Sequence, residues 1–174
     1  PKLMKVLGLE EGPALNYKKN SISFHDRGET RRRLRMPITK LMDSKGSERF
    51  REDIRHVVKE TFEEISKNRK VDLIKVLCDK IPSRVYCYWI NAPQEDADFV
   101  SRTSHIVQQV HTRDPKTAKD VSKGFENLLK YIDERIKISR QALGDDLLSD
   151  LIRVTDKGYL TNDELRNWVV KMAE

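Results

Sequence analysis

Apolar residues in this chain recur three and four positions apart, the spacing that gathers them on one face of a helix. The clearest stripe is Phe50, Ile54, Val57, Val58, Thr61, Phe62 and Ile65, which predicts a helix over about 47–67 capped by Ser47. Asn68 and Arg69 close it. Similar stripes predict helices over 71–90, interrupted by Pro82, and over 94–110, 115–140 and 161–174. Glu95, Asp96 and Asp98 fall in the opening turn of the third, where the helix dipole favours acids. Asp145-Asp146 opens a shorter helix through Leu147, Leu148, Leu151 and Ile152. Thr161, followed three residues later by Glu164, forms a capping box. A first helix is expected over 29–42, with Pro37 kinking or bounding it. Residues 1–28 carry Gly8, Gly12, Pro13 and Gly28 and suggest mostly loop. Strand-type alternation is absent from the pattern, so an all-α single domain over 1–174 is expected.

Composition agrees with that picture. Hydrophobic residues make up 37% and charged residues 36%, a balance suited to helices with one buried face. No run approaches the ~20 apolar residues of a membrane-spanning helix. Pro1-Lys2-Leu3-Met4-Lys5 lacks the apolar core of a signal peptide, so a cytoplasmic protein with no membrane partner is expected. Cys78 and Cys87 are too few for a disulfide framework and sit among apolar residues, which predicts buried thiols.

Charge adds one feature. Between Lys18 and Lys45 there are nine Lys or Arg and three Asp or Glu, a local excess equal to the whole chain's +6. Within it, Arg31, Arg32, Arg33 and Arg35 are the expected binding residues for an acidic partner, because guanidinium groups take carboxylates in a bidentate fork. Nucleic acid fits less well, since few aromatics accompany the cluster and no nucleic-acid motif does. The histidines at 25, 56, 105 and 111 lack metal-site spacing. No nucleophile elbow or phosphate-cradling loop is present. No catalytic residue and no metal ligand is therefore assigned.

The order of the motifs resembles that of bacterial cytochromes P-450. Phe24-His25-Asp26-Arg27-Gly28-Glu29-Thr30-Arg31-Arg32-Arg33-Leu34-Arg35 is similar to the D-x-P-E-H-x-x-x-R opening of the family's C helix. Val71-Asp72-Leu73, Ile81-Pro82 and Ile90-Asn91-Ala92-Pro93 look like its E helix and the turn into F. Asp145-Asp146-Leu147-Leu148-Ser149-Asp150-Leu151 resembles the D-D-L-L-S-x-L motif of H. Leu160-Thr161-Asn162-Asp163-Glu164-Leu165 resembles the start of I. The resemblance covers roughly residues 20–174. It implies an orthogonal helical bundle matching the C helix to the beginning of I. It also implies that the helices near 94–110 and 115–140 roof a substrate pocket, and that the C helix meets haem propionates and an electron-donor protein.

The departures shape the functional expectation. The family's C-helix histidine would fall at Glu29 or Thr30, while Arg33 or Arg35 stands in the arginine position and would contact haem where haem is present. The sequence lacks A-G-x-x-T, E-x-x-R and the cysteine loop that supplies the axial thiolate, without which the family's oxygen chemistry has no electron push. No cofactor is expected on this chain, which implies a haem-free, non-catalytic binding or scaffold protein. The alternative is one piece of a monooxygenase whose haem-binding half is missing or lies on another chain. The last helix stops at Glu174 without a cap, glycine or proline, so that end is expected to be cut rather than finished. Leu165, Trp168, Val169 and Met172 would then form an exposed interface for self-association or a complementary chain.

Overall fold

The structure, a computed structural model, describes residues 28–67, 70–109 and 117–173. Its helices are α1 (Glu29–Leu41), α2 (Ser44–Glu48), α3 (Arg51–Ser66), α4 (Ile81–Trp89), α5 (Ala97–Gln108), α6 (Ala118–Ser139), α7 (Leu147–Asp156) and α8 (Asn162–Ala173). A π-helical stretch, Ile74–Lys80, runs directly into α4, and a 3-10 turn, Gln94–Asp96, leads into α5. Among the described residues there is no strand. The fold is all-α, as the apolar periodicity requires.

The core gathers around α6 and α7. Leu128, Ile132, Leu147, Leu148, Leu151 and Ile152 have no exposed surface. Each fully buried aliphatic side chain contributes roughly 1.5–3 kcal/mol, as an upper bound. Tyr86 Oη donates to the carbonyl of Val169 at 3.1 Å, which ties α4 to α8. Helices α5 and α6 approach closely at Gly124, where a Cβ would lie 2.7 Å from Ile106 Cγ2.

Two helix starts follow the sequence. Asp146 caps α7 by accepting from the Ser149 amide at 2.8 Å. Thr161 and Glu164 form the reciprocal box at the start of α8: the Thr161 amide donates to Glu164 Oε2 at 2.8 Å, and the Glu164 amide donates to Thr161 Oγ1 at 3.2 Å.

Elsewhere local geometry overrides the pattern. Ser47 does not cap the long helix. Asp43 caps the short α2 instead, accepting from the amides of Lys45 and Gly46, and α3 begins only after Phe50. Gly46 is required there, because a Cβ would sit 2.2 Å from the Leu41 carbonyl oxygen. Pro37 lies inside α1 without ending it. At Pro82 the missing N–H is accommodated by widening the preceding turn into the π stretch rather than by breaking the helix. Phe62, expected on the buried stripe, is 53% exposed, because Val57 and Thr61 carry that face inward. Cys78 is exposed, while Cys87 is buried as expected. Residues 1–27, Asn68 and Arg69, and the junction at 110–116 between the helices expected over 94–110 and 115–140, lie outside the described residues.

The expected exposed interface on the last helix is corrected. Leu165 and Val169 have no exposed surface, and Trp168 and Met172 are half-buried against the same core. The chain's own α4, α5, α6 and α7 pack against α8, so the apolar stripe needs no second chain to cover it. Replacing Gly124 by Val is expected to destabilise the protein by roughly 1–3 kcal/mol through overpacking against the stiff Ile106 side chain. An exposed Lys130→Ala control should stay within about 0.5 kcal/mol. Urea midpoints measured at unchanged slope compare the two.

Candidate functional site

Helix α1 is held by a narrow inner face. Leu34 is its buried residue, with Ile38 and Leu41 packed partly against the core. That orientation leaves Arg32, Arg33 and Arg35 on the surface and Arg31 half-buried. The four arginines do not act alike.

Arg33 turns inward to α8. Its Nη1 donates to Glu164 Oε2 at 2.9 Å and its Nη2 to Glu164 Oε1 at 2.5 Å, a bidentate pair across 131 positions. Nη1 also donates to the Tyr159 carbonyl at 3.1 Å. The Glu164 side chain is only 10% exposed. The guanidinium hydrogen bond holds its carboxyl below the usual range, outweighing burial, which acts the other way. The same pair raises the Arg33 guanidinium. The sequence placed Arg33 with an acidic partner or a haem propionate; the structure gives it an internal carboxylate first. Arg32 and Arg35 form no ion pair among the described residues.

A haem of the resembled family needs a thiolate, and the two cysteines do not fit that role. Cys87 has no exposed surface, and burial pushes its thiol up to about 12, which favours the neutral form. Cys78 lies on the π stretch and is exposed, lining a different pocket from the one that α1 and its arginines border. Among the described residues, no three His, Cys, Asp or Glu side chains group as a metal site.

Sequence reasoning missed a small polar pocket of about 230 Å³ where the π stretch, α4, α5 and the end of α8 meet. Asp79 Oδ1 and His105 Nε2 face each other there at 3.5 Å. Ser104, also lining it, is 7% exposed and has a buried hydroxyl with no hydrogen-bond partner. No local motif signals this pocket, since its walls come from three separate segments, the π stretch continuing into α4. A second, larger groove runs between α1 and α7. Among the described residues, no helix is long and apolar enough to cross a membrane.

Comparison with known proteins gives a consistent family likeness. No family model matches the chain. It is 25% identical over 169 residues to luteothin monooxygenase of Streptomyces thioluteus, covering 96% of this chain and 41% of that protein. It is 26% identical over 140 residues to cytochrome P450 GfsF of Streptomyces halstedii, covering 80% of this chain and 32% of that one. Among solved structures, CalO2 superposes with a TM-score of 0.86 at 17% identity, over 98% of this chain and 44% of that chain. P450BioI does so with 0.81 at 20% identity, over 92% and 42%. The curated homologues are cytochrome P450s, and the chain has the fold of the corresponding part of P450 structures. It spans about two-fifths of the length of luteothin monooxygenase.

The Arg33–Glu164 pair yields a signed prediction. Glu164→Gln keeps the box, since Gln also serves at that position, and removes the charge; it is expected to cost about 1 kcal/mol. Glu164→Ala removes both and should cost roughly 1 kcal/mol more. Because the folded carboxyl titrates below its unfolded value, its stabilisation is full above the ordinary carboxylate range. It is lost as pH falls through the folded value. Denaturation of wild type and Glu164→Gln should therefore differ at neutral pH and converge in acid; a gap that persists in acid would rule out the ion pair as its source.

Proposed function

We propose that this chain is the helical, thiolate-free portion of a P450-type oxidoreductase, working with an iron-ligating portion that lies outside these residues. One observation carries the reading: the likeness to CalO2 extends over 98% of this chain but 44% of the other. In the resembled family α5 and α6 correspond to helices that roof the substrate pocket. Helix α1 would offer Arg32 and Arg35 to haem carboxylates or to an acidic electron donor, with Arg33 bracing it from behind. The substrate remains that of the whole protein.

A second reading has its own support. The described residues supply no fitting thiolate, Arg33 is engaged with Glu164, and Glu29 or Thr30 stands where the family has histidine. These favour a haem-free binding or scaffold protein that recognises an acidic protein through α1.

Isolation of the native assembly separates the two. The chain, purified from its own cells without denaturant, is expected to carry Soret absorption together with iron-ligating polypeptide, within the same or an associated chain. Haemin titrated into the isolated 174-residue chain should give no thiolate-type spectrum and only weak, salt-sensitive association, because exposed ion pairs contribute under ~1 kcal/mol each. A native species of this chain alone, free of Soret absorption, would overturn the oxidoreductase reading and leave the scaffold role.

A further inference from the structure

The groove between α1 and α7 has a volume of about 430 Å³, within the range typical of small-molecule sites. Met36, Pro37 and Leu41 of α1 form one wall, and Val154 of α7 with Tyr159 forms the other. Met36 is 54% exposed and Tyr159 58%. Isolated exposed apolar residues are ordinary, but these two border one concavity with an apolar floor. Lys40 and Lys157 stand on its edge beside Arg33.

The charges there are one-sided. No aspartate or glutamate lines the groove. Arg33 is matched by Glu164, whereas Lys40 and Lys157 make no ion pair among the described residues. Each lysine lies at a helix C-terminus, where the dipole favours a cation. The dipole accounts for either lysine singly, but not for both bordering the same apolar trough.

We infer that this groove binds a carboxylate-bearing amphiphile, a single-chain fatty acid or a molecule of like chemistry. Its apolar tail lies on Met36, Pro37, Leu41 and Val154, and its carboxylate meets Lys40 and Lys157. The occupant must be anionic because the free charges are both cationic, and it must carry a sizeable apolar body because the floor offers few polar partners. This inference does not rest on the oxidoreductase reading and concerns residues remote from both cysteines in sequence.

Titration calorimetry on the full chain tests it, with dodecanoate below its micelle concentration as probe. Saturable binding of one dodecanoate per chain is expected. Hexanoate should bind more than tenfold more weakly, since each buried methylene is worth roughly fourfold in affinity. The double variant Lys40→Glu, Lys157→Glu should weaken dodecanoate about tenfold while leaving dodecanol unchanged. Met36→Asp should weaken both. These side chains are surface ones, and unchanged helical circular dichroism would confirm intact folding. The inference is overturned by no binding, by dodecanoate affinity that ignores the lysine and Met36 changes, or by equal affinity for dodecyltrimethylammonium. Sedimentation with phosphatidylglycerol vesicles without binding of free dodecanoate would also overturn it, assigning the face to a lipid surface instead.

Discussion

One carboxylate joins the first and last described helices. Glu164 closes the capping box with Thr161 and simultaneously takes the Arg33 guanidinium in a two-pronged pair. A carboxylate that is nearly buried costs free energy unless its oxygens are satisfied, and here three donors satisfy them. The consequence reaches beyond α8. Helix α1 has a single fully buried side chain, Leu34, so the pair supplies directional restraint that its packing alone does not. Arg33 also lines the groove between α1 and α7.

The rest of the bundle has a different basis. Helices α6, α7 and α8 share an apolar core with no exposed surface at nine positions from Leu128 to Val170. That core does not need particular residue identities, only apolar side chains of suitable volume in the right places. The likeness to CalO2 at 17% identity fits such a rule. Stripes and caps carry the fold, while the chemistry of individual surface positions is free to diverge.

This division explains what could be read in advance. The capping box at Thr161, the Asp146 cap and the stripes of α5 to α8 are local signals, written within a few residues of where they act. The π stretch before Pro82 was visible only as an interruption, because the sequence shows that a hydrogen bond must be lost but not how the turn relaxes. Cys78 looked buried because its neighbours are apolar; the direction in which the widened helix turns them decides otherwise. The partner of Arg33 lies 131 positions away, and the polar pocket around Ser104 draws on three segments. Pairings of that kind depend on tertiary placement, which periodicity does not encode. The expected exposure of Leu165 and Val169 failed for the same reason: it assumed that α8 lacked neighbours, whereas α4, α5, α6 and α7 surround it.

The charge of α1 has to be divided by what each cation already touches. A run of arginines suggests a uniform basic face, yet a guanidinium committed to a shielded carboxylate presents little net field to an approaching ligand. Subtracting Arg33 and Glu164 together leaves the balance of the helix unchanged in sign but moves its effective centre. Arg32 and Arg35 are exposed cations of α1, and Lys40 with Lys157 borders the apolar groove. These two pairs serve the two proposals in different ways. The first is polar and open to solvent, so its attraction is long in range and screened by salt. The second borders an apolar trough, where contact area rather than charge supplies most of the affinity and the lysines select the sign of the head group. Sequence spacing alone merges all these cations; the inward turn of Arg33 to Glu164 is what sets it apart from the rest.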